Sequence, residues 1–132
     1  MKQKYIVGDL VRISFISDDK IFEIIEGGTI NPYIAKDMDG KEAIAEEHSI
    51  IPIPITPDIL EKNGWNGDEI INIYIHKSFN IAGAFDRKGF HVVISDVNDD
   101  NKKANVGIFK YVHELQHLLF GLGLNSYIEV YV

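Results

Sequence analysis

Cysteine is absent from this chain of 132 residues. That removes disulfides, thiolate metal sites and a cysteine nucleophile together, and it fits a reducing compartment. Proline occurs four times, at Pro32 and then at Pro52, Pro54 and Pro57, so one short stretch holds most of it. No apolar run approaches the roughly 20 residues of a membrane-crossing helix. The first nine residues, Met1 to Asp9, carry two lysines but lack the apolar core of a signal peptide. The expectation is a cytoplasmic chain with no membrane contact.

Positive charge is also scarce, with 13 basic against 20 acidic side chains and a net charge of −7. Residues 1–55 hold six basic and ten acidic groups and residues 56–132 hold seven and ten, so no basic half hides inside the average. Nucleic-acid binding through phosphates needs a positive footprint. The clusters Lys2/Lys4, Arg87-Lys88 and Lys102-Lys103 read as solvated turns or termini. A nucleic-acid module built on the β-rich half would show steeply salt-sensitive binding, and it ranks behind a protein partner.

What is present describes one soluble α+β domain over 1–132, with a β-rich subdomain at 1–55 and an α+β subdomain at 56–132. Val11, Ile13 and Phe15 alternate with Leu10, Arg12 and Ser14, the period of a two-faced strand. Ser17-Asp18-Asp19-Lys20 reads as a turn, Ile21–Glu26 as a strand ended by Gly27-Gly28, and 29–36 as a third strand. Asp39-Gly40 signals a hairpin returning through 41–45. In Ser49–Ile55, Pro52 and Pro54 cannot donate to a ladder, so that segment is expected at an edge or leaving the sheet. Four or five short strands predict a small, strongly bent, barrel-like sheet, and Gly8-Asp9-Leu10-Val11-Arg12-Ile13 looks like the opening strand of an SH3-like barrel.

Thr56-Pro57-Asp58 starts a short linker helix by capping, by a proline at the first turn and by charge against the helix dipole. Asn63-Gly64 stops it, and Trp65 is expected to plug the core. Two further strands follow, at 69–76 and 90–95, separated by a long loop at 77–89. Residues 96–103 read as a polar loop without the ligand order of a calcium site. Asn105 is the expected cap of a long last helix to Leu122, packed on those two strands. Its apolar stripe is Ile108, Tyr111, Val112, Leu115, Leu118, Leu119 and Leu122. A terminal strand is expected at 127–132.

That helix carries His113-Glu114-Leu115-Gln116-His117, the H-E-x-x-H pattern of zinc peptidases. His113 and His117, four apart, could present two imidazoles to one zinc ion, and Glu114 could act as base toward a zinc-bound water. At 100° per residue both histidines are expected opposite the stripe. Catalytic zinc takes a third protein ligand. The metzincin extension is missing, because Phe120 and Gly123 stand where Gly and His are required. Only Glu129 follows as an acid, and His48, His76 and His91 are the upstream candidates. No Gly-x-Ser-x-Gly elbow and no phosphate-binding glycine loop occurs.

Two stretches, Ile51-Pro52-Ile53-Pro54-Ile55-Thr56-Pro57 through Asn63-Gly64-Trp65 and Lys110-Tyr111-Val112-His113-Glu114-Leu115-Gln116-His117, give the chain a family likeness. It resembles small uncharacterised proteins of prophages and mobile elements in gut Bacteroidetes over most of residues 5–122. Asn can stand at the position of His117 in that family, so the resemblance implies a helix that does not depend on a histidine pair. The leading expectation is a non-enzymatic accessory protein that binds another protein without a cofactor. The alternative is a minimal zinc-dependent hydrolase using His113, His117 and Glu114.

Overall fold

The computed structural model describes residues 4–17, 20–27, 32–68, 70, 72–76, 80–96, 99–124 and 126–130. It is a mixed α/β protein, mostly sheet: two five-stranded antiparallel sheets and two helices. The chain forms two compact units, Met1–Ile53 with Tyr111–Tyr127, and Pro54–Lys110 with Ile128–Val132.

In the first unit, strands β1 (Leu10–Ile13), β2 (Phe22–Glu26), β3 (Tyr33–Asp37), β4 (Glu42–Ala45) and β5 (Ile50–Pro52) run in the order β4-β3-β2-β1-β5. The alternation expected of half-buried strands is visible: Phe22 and Ile24, Tyr33 and Ala35, Val11 and Ile13 face the core with Tyr5. The sheet is open rather than a closed barrel, ending at β4 and β5. The proline-bearing β5 is an edge, where a missing N–H leaves no gap in a ladder. Strand β1 ends at Ile13, so Phe15, expected to continue the alternation, is exposed. Asp37 closes the hairpin after β3. It accepts from the N–H groups of Asp39 (3.0 Å) and Lys41 (2.9 Å), and Lys20 stands 3.6 Å away. The hydrogen bond from Lys41, then that from Asp39, holds its carboxyl below the usual range. Helix α2 (Val112–Gly121) belongs to this unit and packs on β1.

In the second unit, helix α1 (Pro57–Lys62) forms as its sequence dictates. Thr56 Oγ1 accepts from Ile59 N–H at 3.3 Å, and Ile59 and Leu60 are buried. The sheet holds five strands rather than two: β6 (Trp65–Asp68), β7 (Ile73–His76), β8 (Ile81–Phe85), β9 (Phe90–Asp96) and β10 (Asp99–Phe109), ordered β10-β9-β8-β7-β6. Thus β8 occupies the expected loop and β10 the expected polar loop and helix start. The single strand expected at 69–76 is the second arm of the β6–β7 hairpin. One face gathers Trp65, Tyr74, Ile81, Phe90 and Val92, all buried. A methyl on Gly67 would overlap the Tyr74 ring, and one on Gly83 the Phe90 ring. The glycines are therefore where the aromatic rings lie across the sheet. Trp65 fills the core as expected, 5.5 Å from Phe90.

No regular strand occurs at 127–130, where one was expected. Glu129 is instead held by Asn63, whose Oδ1 accepts from Glu129 N–H (2.8 Å) and whose Nδ2 donates to Glu129 C=O (2.9 Å). The central residues of the 17–20 turn, Gly28, the start of the third expected strand, Glu69, Ile71, 77–79, 97–98 and the last two residues lie outside the described residues. Among the described residues, no helix is long and apolar enough to cross a membrane.

Candidate functional site

The H-E-L-Q-H motif occupies the first turns of α2, which begins at Val112 rather than Asn105. The stretch Asn105-Val106-Gly107-Ile108-Phe109 joins β10: Asn105, Gly107, Ile108 and Phe109 pair with β9, Val106 falls at a register shift, and the β-branched Val106 and Ile108 favour strand. Ile108 and Tyr111 are therefore off the helix, and the stripe drawn through them is displaced. The buried helical positions are Val112, His113, Leu115, Gln116 and Leu119, an arc of about 160° at helical spacing. His113 was expected opposite the apolar stripe, yet it lies inside this arc and is 5% exposed.

Glu114 works at the helix end. Its Oε1 accepts the Tyr111 N–H at 3.0 Å, satisfying one of the donors a helix leaves without an internal partner. The His113 ring lies 5.0 Å from Tyr5, 6.0 Å from Tyr111 in near-parallel stacking, and 5.7 Å from His117. Among the described residues its buried Nδ1 has no hydrogen-bond partner. Burial therefore pushes the His113 pKa below the usual histidine value, and Asp9 and Glu114 oppose this only in part. Burial, then Glu47, raises the neighbouring Tyr5 hydroxyl to about 12.

Gln116 and His117 meet the chain just before β1. Gln116 Nε2 donates to Gly8 C=O at 2.9 Å, and its Oε1 accepts from Leu10 N–H at 3.0 Å. The carboxamide thus pairs like a strand neighbour and brackets Asp9. Gly8 turns the chain there with φ +97°, a conformation costly for side chains with a Cβ. Asp9 is 1% exposed. Its Oδ2 accepts from Ile6 N–H at 2.9 Å, and its Oδ1 lies 2.7 Å from His117 Nε2. A buried carboxylate needs such partners. His117, with 37% of its side chain exposed, borders a shallow depression together with Ile6, Val7, Phe120 and Ser126.

The structure thus brings the two motif histidines together and turns Glu114 toward the helix start. Among the described residues, no three His, Asp or Glu side chains are grouped so as to hold a metal ion. Of the third-ligand candidates, His48 stands 3.5 Å from Glu46, His76 stacks edge-on against Trp65, and His91 contacts Asp86. Asp9 and Gln116 were missed from the sequence. Their signal was weak: an acid after a turn glycine, and the one carboxamide inside a histidine motif.

No protein-family model, curated protein or solved structure matches this chain.

Proposed function

We propose that the protein is a non-enzymatic, protein-binding accessory module working in the cytoplasm. The motif resemblance supports an origin in a phage or mobile element, and the opening strand supports an SH3-like kinship for the first sheet. One observation carries the binding reading. The outward face of the second sheet has two cross-strand rows, Asp68-Ile73-Ala84-His91-Ile108 and Asn66-Ile75-Ala82-Val93-Asn105. Ile73, Ile75 and Ile108 are 40%, 53% and 41% exposed. An aliphatic centre with Asp68, Asn66 and Asn105 at the row ends and His91 within one row has the anatomy of a protein interface. The net charge of −7 disfavours a nucleic-acid partner.

The test is affinity capture from the producing cell with the wild type and with Ile73→Asp/Ile75→Asp. A stoichiometric protein partner, lost on changing this face but kept by His113→Ala, is the expected result. A partner held equally by both proteins overturns the reading.

A minimal zinc hydrolase is the second reading, favoured by the two adjacent imidazoles and by the buried Nδ1 of His113, which has no hydrogen-bond partner among the described residues. Elemental analysis decides it. Stoichiometric zinc lost in His113→Ala supports it, and a folded protein that takes up no zinc from excess zinc salt removes it.

A further inference from the structure

We infer that the outward face of the second sheet docks a short acidic segment of a partner protein, with aliphatic side chains on the isoleucines and carboxylates at the turn between β8 and β9. This rests on the protein-binding reading and adds the chemistry of the partner. Three cations border the row that runs from Asp68 through Ile73, Ala84 and His91 to Ile108. Arg87 and Lys88 lie exposed in the turn that follows Ala84 and Phe85. Lys110, also exposed, comes back to the same turn from the end of β10. A methyl on Gly89 would stand 3.2 Å from both Lys110 Cγ and Ile108 Cγ2. The cationic margin is therefore continuous with the aliphatic centre.

Asp86, the acid of this turn, is committed within it. Its Oδ1 accepts from the N–H groups of Lys88 (2.7 Å) and Gly89 (3.2 Å), and its other oxygen contacts His91. Among the described residues, Arg87 and Lys88 belong to no ion pair. Both are charged at neutral pH whatever the state of His91. The chain's net charge of −7 does not cancel them, because charge farther than about 8 Å is largely screened at physiological ionic strength. Size selects the occupant. With strands about 4.8 Å apart and about 3.4 Å per residue along them, the aliphatic centre covers roughly 15 by 10 Å. That is far below the ~800 Å² per partner of a stable interface between two globular chains, so a second copy of this protein is not matched to it. A short extended segment alternating aliphatic and acidic residues is. A nucleic-acid strand would answer the cations but offers the isoleucines no aliphatic counterpart.

The probes are N-acetyl-Leu-Glu-Leu-Glu-amide and N-acetyl-Leu-Lys-Leu-Lys-amide, titrated into the full-length protein while the isoleucine methyl NMR signals are followed. Saturable shifts at Ile73 and Ile108 with the glutamate peptide, at least about tenfold weaker binding of the lysine peptide, and weakening with salt are expected. Arg87→Glu/Lys88→Glu alters two exposed positions, so its fold should persist while affinity for the glutamate peptide falls at least about fivefold. No saturable shift at millimolar peptide, equal binding of the two peptides, or unchanged affinity in the double variant overturns the inference. So does oligothymidylate binding at the same signals as tightly as the glutamate peptide, or a dimer that Ile75→Asp dissolves. A cellular partner lost in Ile73→Asp/Ile75→Asp but kept by Arg87→Glu/Lys88→Glu overturns this inference and leaves the protein-binding reading standing.

Discussion

Gln116 and Leu10 are joined by a 3.0 Å hydrogen bond across 106 residues of chain, from a backbone N–H to a side-chain oxygen. The other end of the same carboxamide holds Gly8 C=O. Asn63 does the equivalent in the second unit, gripping both backbone groups of Glu129. The proline-bearing stretch 51–65 and the motif stretch 110–117 thus each contain a carboxamide whose task is to clamp distant backbone. Gln116→Leu keeps the bulk but leaves the Leu10 N–H and Gly8 C=O unsatisfied, which costs about 1–3 kcal/mol. Gln116→Glu can still accept from Leu10 but sets a carboxylate against Gly8 C=O near Asp9, so it is the more damaging change at neutral pH. Amide hydrogen exchange at Leu10 checks both, and protection equal to the wild type would refute the clamp.

His113 makes stability depend on pH. Its folded-state pKa is depressed by burial. The unfolded chain therefore binds a proton first as pH falls, and the stabilisation present above about 6.5 is lost on acidification toward the folded value. His113→Phe keeps a flat ring among Tyr5 and Tyr111 and removes the buried ring nitrogens. Its unfolding midpoint at pH 7 should equal or exceed that of the wild type, with a shallower fall as the pH drops below about 6.5. An identical pH slope in the two proteins would show that His113 does not titrate as its burial implies.

Glu114 separates a capping role from a catalytic one. Glu114→Gln retains an oxygen for the Tyr111 N–H and should leave stability nearly unchanged. Glu114→Ala removes the cap and should cost about 1 kcal/mol. Chemical unfolding of the two variants measures this. A base acting on zinc-bound water would add a separate signature, with Glu114→Gln abolishing a peptidase activity although stability is equally unchanged.

What the sequence revealed was local. The Thr56-Pro57 start of α1 needs only its own neighbours, and so does the Asp39-Gly40 hairpin, where Gly40 adopts φ +86°. The parts that were not legible depend on distant partners. Ile81-Ala82-Gly83-Ala84-Phe85 reads as loop because Ala and Gly have little strand propensity, yet it is a central strand because the Phe90 ring needs the space over Gly83. The buried arc of α2 turned toward His113 and Gln116 because their contacts come from Tyr5 and residues 8–10, over 100 positions upstream. Hydrophobic periodicity cannot register a polar side chain buried by a backbone partner.

That account of β8 predicts an asymmetry between its two faces. Gly83→Ala places a methyl against Phe90, a ring with 0% exposure that sits 4.8 Å from Phe85 and 5.5 Å from Trp65. A ring so enclosed cannot retreat without displacing its neighbours, so the substitution should cost about 1–3 kcal/mol, as overpacking does. Ala82, one residue away, points to the outward face opposite Ile75 and Val93. Ala82→Ser adds comparable bulk there and should change stability by less than about 0.5 kcal/mol. Trp65, the only tryptophan, reports unfolding of this unit by its fluorescence, and its emission should also shift in Gly83→Ala as Phe90 is pushed aside. Equal stability of the two variants would mean that Gly83 is not kept for the ring that crosses it.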